Sequence, residues 1–463
     1  MTTIDTAHWE QRLAELVARH GIPGAQLGIL VLGKDGAEDE VFTAATGVLH
    51  SGTGQPAATD SVWQIGSVSK VWTATVIMQL IDEGRFTLDT PVKEIVPSLE
   101  LSDPQVTEKV TVWHLLTHSS GIDGDVFTDT GRGDDCLEKY VADLKTAQQN
   151  HPLGATWSYC NSGFSLLGRI IEVTTGKTWD AAMREKLFTP LGLTHTTTLP
   201  EEAMVFGHSM GHLKGGDEPV LAPVWGLPRS VGPAGLITAT ATDVLSFARL
   251  HLTGGLAADG TRLLSEDSAA AMAAYQVECP EKDLLGDSWG LGFFRCDWNG
   301  RRAIGHDGNT IGQTSFLRLL PDAGIAVSLN ANVGSAIPLY RELFGEIFKA
   351  LADVDFPAAF EVPAEPVTVD ATPYVGTYER ASVTEDVYLD DGKVYLRTAL
   401  SGPIAELEKS EPEVHELIPV APALFALQPD ATADNFYPVR FYMLPTGERY
   451  LHYGARATPK KTS

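Results

Sequence analysis

The stretch Trp63-Gln64-Ile65-Gly66-Ser67-Val68-Ser69-Lys70-Val71-Trp72-Thr73-Ala74 sets a serine hydroxyl one helical turn from a lysine amine. Beyond it the apolar positions Val71, Ala74, Ile77, Met78 and Ile81 recur at helical spacing, and Gly84 supplies a stop after Glu83. The spacing predicts a helix opened by Ser67, with Lys70 on the same face. Free backbone N–H groups and the helix dipole at that end favour negative charge, which suits a serine that becomes an alkoxide and then carries an acyl group. Lys70 serves as a base only if burial or a neighbouring cation brings its pKa from ~10.4 toward ~7 to 8. Alone, the pattern reads better as a helix cap beside a solvated charge, since chance supplies about one Ser-x-x-Lys in a chain of this length. It is the only one here.

Upstream, Trp9, Leu13, Leu16 and Val17 form one face of a helix that ends at Gly21, and strand-like runs cover 26–32 and 41–47. From about Asp89 to Leu250 the patterning is mostly helical. Strands return at 290–296, 302–306, 314–320 and 325–330, across the turns Asn299-Gly300 and Pro321-Asp322-Ala323-Gly324, before a helical run from Leu339 to Leu351. Short turns mean antiparallel hairpins, so early and late strands share a sheet only if the helical block is an insertion. The expectation is an α+β fold: an antiparallel sheet flanked by N- and C-terminal helices, an inserted all-helical subdomain, and a cleft with Ser67 at its edge. The stretch 356–373, rich in Pro, Ala and Glu, reads as a linker. Short strands at 374–378, 387–389, 394–396, 439–443 and 450–453 then predict a small antiparallel barrel. The domains expected are 1–355, catalytic, and 374–463, all β.

The formal charge of -26 repels phosphate backbones and anionic lipid, which excludes nucleic acid and membrane surfaces as partners. Residues 1–10 carry neither a basic stretch nor an apolar core, and no apolar run is long enough to span a bilayer. The expected location is the cytoplasm, unless an export signal has been removed. Cys136, Cys160, Cys279 and Cys296 lack metal-ligand spacing and fit free thiols. His114 and His118 stand four apart, but no acidic residue follows His114 and no third ligand is evident, so the pair reads as structural and neither metal nor cofactor is expected.

Two further groups carry chemistry. Tyr159-Cys160-Asn161 is the only Tyr-x-Asn in the chain. A tyrosine beside a lysine is either held as phenolate or shuttles a proton, and the asparagine orients the lysine or a substrate amide; the plainer reading is a buried tyrosine with a satisfied hydroxyl. His306-Asp307-Gly308 is one of three His-x-Gly triplets, with His50 and His452, but only His306 ends a strand of the late sheet. Gly308 lets a substrate backbone approach, and the N–H of Asn309 joins that of Ser67 as an oxyanion hole.

Together, Ser67-Val68-Ser69-Lys70, Tyr159-Cys160-Asn161 and His306-Asp307-Gly308 resemble the serine β-lactamase and penicillin-binding-protein superfamily, particularly its class C-like branch. The segments 111–121, 188–193 and Pro233-Ala234-Gly235-Leu236 extend the resemblance over nearly all of residues 8–352. It implies a β-lactamase/transpeptidase-like catalytic domain in which Ser67, Lys70, Tyr159, Asn161 and His306 are catalytic and Gly308 contacts substrate. His306 stands where many members have the lysine of Lys-Thr-Gly, which removes a permanent cation and argues against strong β-lactam hydrolysis. That departure, with the missing export signal, is similar to penicillin-binding-protein-type thioesterases, which release and cyclise nonribosomal peptides at a D-residue and carry a C-terminal lipocalin-like domain. The resemblance implies a peptide acyl donor, held as a thioester on a carrier protein or a small thiol. Arg456, in the small domain, is expected to face the cleft and read a carboxylate, against a plainer reading as a surface arginine. Hydrolysis of esters, D-peptides or, weakly, β-lactams is the alternative, followed by a binding protein that has lost catalysis. Oligomeric state stays open.

Overall fold

A computed structural model describes residues 3–461 except 35, 216–218, 283–284, 366, 402–410 and 430–434. The main sheet is built on β1 (Gly24–Val31), β2 (Glu40–His50), β3 (Phe294–Trp298), β4 (Arg301–Asn309), β5 (Thr314–Leu320) and β6 (Ile325–Ala331). Its order is β2-β1-β6-β5-β4-β3, with the short strands Gln55–Pro56, Ser288–Trp289 and Val277–Glu278 extending the edges, and every pairing is antiparallel. The junction of early and late strands is β1 on β6, Ala25 opposite Ala331, so the helical block is an insertion as the strand order requires.

Alternation along the strands loads two cores. Leu27, Ile29, Phe316 and Leu320 pack against α1 (Thr6–Arg19) and the C-terminal helix Ile337–Ala352, while Leu30, Leu317 and Leu319 pack against the inserted helices. The helix after Ser67, α2 (Ser69–Asp82), lies in the second layer, and every residue from Ser69 to Leu80 is buried. Sequence periodicity suggests a one-faced helix; the structure covers its polar side too. Thr73 donates to Pro233 O at 2.8 Å, and Gln79 Nε2 donates to Lys186 O and Leu263 O, so the insertion satisfies those groups.

Residues 356–365 and 367–371 contain no helix or strand among the described residues, although Phe356 packs on Trp298 with ring centroids 4.9 Å apart. Eight strands from β7 (Gly376–Arg380) to β14 (Arg456–Pro459) follow as an antiparallel meander, nearly closed by a bridge between Tyr378 and Lys460. Three of the eight, Glu413–Ala421, Leu424–Leu427 and β14, escape the sequence pattern. Pro419 interrupts the first at a register shift, and the other two span four residues each. Among the described residues no helix is long and apolar enough to cross a membrane.

Candidate active site

Ser67 occupies a 3-10 turn, Gly66–Val68, that feeds directly into α2. It is half-exposed, whereas Lys70 is fully buried beneath it. Lys70 Nζ donates to Ser67 Oγ at 3.0 Å and to Ala234 O at 2.7 Å, and lies 4.7 Å from the Tyr159 ring centroid. Burial, and then the Arg456 charge, push Lys70 well below the usual lysine range, which favours the neutral amine a base requires. Burial raises the pKa of the Tyr159 hydroxyl above the phenol's usual value and the neighbouring Ser67 hydroxyl opposes this in part, while among the described residues the hydroxyl has no hydrogen-bond partner at close range. Environment thus separates the two groups: an amine poised to accept a proton and a phenol that keeps its own and can relay one.

Period two along β4 turns His306 and Gly308 toward the helices and Asp307 away. Asp307 pairs with the buried Arg318, which lies over Phe294 and Tyr340 on the opposite face. His306 Nδ1 must carry the proton, since its partner at 2.6 Å is the Asp307 carbonyl. Its Nε2 is therefore a buried acceptor without a partner among the described residues, and burial followed by the Lys70 charge brings the ring to about 3. Neutral His306 packs 6.0 Å from the Tyr159 ring, and its one N–H is spent on the Asp307 carbonyl.

Gly66 and Gly308 let two backbones close on each other. A Cβ on Gly308 would sit 1.9 Å from Ile65 O and 3.0 Å from Ser67 N, and one on Gly66, at φ +51°, would sit 2.7 Å from Asn309 N. The seam brings together the Ser67 and Asn309 nitrogens expected to bind an oxyanion.

Asn161 opens the helix Asn161–Thr175, and its Nδ2 donates to Asp125 Oδ1 at 3.2 Å rather than orienting Lys70. Asp125 is the residue that sequence reasoning misses. Buried, it also receives Arg380 Nη1 at 2.6 Å and both Nε and Nη2 of Arg456, at 3.1 and 2.9 Å, and is held at about 2 although its burial opposes ionisation. Arg456 does reach the site, 4.8 Å from the Tyr159 ring centroid, but the carboxylate it holds is the protein's own. One acid in a loop of small and acidic residues carries no sequence mark; its partners lie 255 and 331 residues away. His118, at φ 57°, accepts the Cys160 N–H on Nδ1 at 3.0 Å and packs 4.4 Å from the Tyr159 ring, while His114 completes the capping box at Thr111. Both histidines thus have structural partners.

A half-exposed serine over a buried lysine, between an antiparallel sheet and a helical insertion, defines a serine acyl-enzyme of the penicillin-recognising fold. The chain belongs to the Beta-lactamase family, which matches residues 9–352. Like other members it is a serine hydrolase or acyltransferase. It is 46% identical over 379 residues to Penicillin-binding protein 4 of Amycolatopsis lactamdurans, covering 81% of this chain and 98% of that protein. The structure of SurE matches with a TM-score of 0.78 at 28% identity, over 98% of this chain and 99% of that one, and SurE with D-Leu matches at 0.77. The D-amino acid amidase of Ochrobactrum anthropi SV3, at 21% identity and a TM-score of 0.63 over 76% of this chain and 99% of that one, shares the fold.

Proposed function

We propose that this enzyme transfers a peptidyl group from a thioester to Ser67 and then to an amine of the same peptide, closing a ring at a D-residue. The 3.0 Å contact of half-exposed Ser67 with buried Lys70 carries the first half of this reading. Lys70 takes the Ser67 proton as Oγ attacks the thioester carbon, and the N–H groups of Ser67 and Asn309 receive the oxyanion, an interaction worth ~3 to 4 kcal/mol per donor. Collapse expels the thiolate, and the proton that Lys70 took from Ser67 passes to it through the Tyr159 hydroxyl, which gives one proton as it receives the other. In the second half the amine attacks the acyl-serine, loses its proton through the same pair, and Ser67 leaves as the hydroxyl. His306 stays neutral and adds no cation of its own, and the Arg456 charge beside Tyr159 is met by Asp125. The donor is a carrier-bound or small-thiol thioester, met in the cytoplasm. The likeness to SurE over nearly the whole length of both chains, and the D-Leu bound in one of those structures, support the D-residue.

The test is a linear peptide thioester ending in a D-residue, with products resolved by mass. A product lighter than the free acid by one water is expected. Free acid alone refutes cyclisation and favours the hydrolytic reading, to which the 46% identity with a penicillin-binding protein lends weight. Fluorophosphonate labelling should map to Ser67; equal labelling of Ser67→Ala would remove the nucleophile.

A further inference from the structure

Four consecutive residues, the last of them the proton donor, are each fastened to the barrel. Thr156 Oγ1 and the Tyr442 hydroxyl meet at 2.9 Å, and Trp157 O and His452 Nε2 at 3.3 Å. Ser158 Oγ accepts the Ala457 N–H at 3.1 Å, and the Tyr159 N–H donates to Ala455 O at 2.9 Å. Ala455 lies in the turn between β13 (Arg449–Tyr453) and β14, where Gly454 and Ala455 both take the left-handed conformation, φ 56° and 66°, of a tight hairpin. The turn is in turn held from the catalytic side, because the Ala455 N–H donates to Glu281 Oε2 at 2.8 Å. Glu281 is 2% exposed. Its other oxygen, 3.5 Å from His452 Nδ1, has no hydrogen bond among the described residues. A buried carboxylate left half-satisfied is costly, and the backbone it grips leads to Tyr159.

We propose that Glu281 is a positioning residue for Tyr159, acting through the Gly454-Ala455 turn; the proposal rests on Tyr159 being the proton donor described above. The Tyr159 hydroxyl makes no close hydrogen bond among the described residues, with the Ser67 hydroxyl its polar neighbour, so packing and the backbone do most to aim the ring. Glu281 fixes Ala455, and Ala455 O fixes the backbone of Tyr159. The barrel thereby completes the proton-transfer apparatus, and Glu281 touches no reacting atom.

The test compares acylation by the 4-nitrophenyl and ethyl esters of one N-acyl D-amino acid, under single-turnover conditions and per Ser67 titrated with fluorophosphonate. The nitrophenolate leaves without a proton, whereas the ethoxide needs one. Glu281→Ala is expected to slow ethyl-ester acylation ~10-fold or more, the effect of a slight misplacement of a catalytic group, with little change in KM or in the nitrophenyl reaction. Glu281→Gln, which keeps a carbonyl acceptor, should recover most of the rate. Tyr442→Phe, which removes only the Thr156 contact, should show a smaller loss confined to the ethyl ester and carries the test if Glu281→Ala does not fold. Equal slowing of both esters, or of neither, overturns the proposal. If Tyr159→Phe leaves ethyl-ester acylation intact, the proton-donor reading fails first and takes this one with it.

Discussion

Replacing Asp125 by Asn removes the charge that joins the two domains at the active site. The carboxylate is held at about 2, against an aspartate's usual 3.8, by Arg456, Arg380 and Asn161. That difference corresponds to ~2.5 kcal/mol of native-state stability at pH 7. Its sign follows from the depressed value: the contribution is complete well above 3.8 and disappears as pH falls through about 2. Asparagine keeps the shape but leaves two largely buried guanidinium groups without a counter-charge, so ~2.5 kcal/mol is a lower figure, and buried pairs broken on one side commonly cost ~3 to 5 kcal/mol. The assay is urea unfolding followed by tryptophan fluorescence, to which Trp157, stacked on His452 across the domain junction, responds. The Asp125→Asn protein should unfold at clearly lower urea at pH 7, and the gap should narrow as pH falls from 5 toward 2. A gap that is absent at pH 7, or that stays constant with acid, would refute the reasoning.

The same charges bear on Lys70 in opposite senses, since Arg456 lowers its pKa and Asp125 raises it. Arg456→Met should therefore move the acid limb of the acylation pH profile to higher pH and Asp125→Asn to lower pH; shifts of the same sign would exclude this coupling. Gly308→Ala sets a methyl 1.9 Å from Ile65 O and opens the oxyanion seam. A fall in kcat of ~100-fold or more is expected at nearly unchanged KM, and ordinary activity would remove Asn309 from the oxyanion hole. Tyr159→Phe should lower turnover ~10²- to 10⁴-fold while Ser67 still reacts with fluorophosphonate. Lys70→Ala should abolish both turnover and labelling with the fold intact by circular dichroism, and retained turnover would exclude the lysine as base.

Local pattern carried much of this molecule. Period two in the strands and 3.6 in the helices place the sheet, the insertion and α2, because each element must bury one face whatever its partner. Ser67, Lys70, Tyr159 and the His306 triplet are legible for a similar reason: their spacing and order in the chain are properties of sequence. Strand alternation even separates His306 from Asp307, which turns away toward Arg318. Glu281 and Asp125 are different. Each is one acid among 60, distinguished only by burial and by partners far off in the chain. The same holds for protonation. Sequence supplies an amine and a phenol, but whether the amine is a base and the phenol an acid depends on how much water packing removes and on which charges it leaves nearby. Sequence therefore determined which groups are present and which elements carry them. Tertiary structure decided that the barrel belongs to the active site, because only folding sets Arg456 against Asp125 and the Gly454-Ala455 turn against Tyr159.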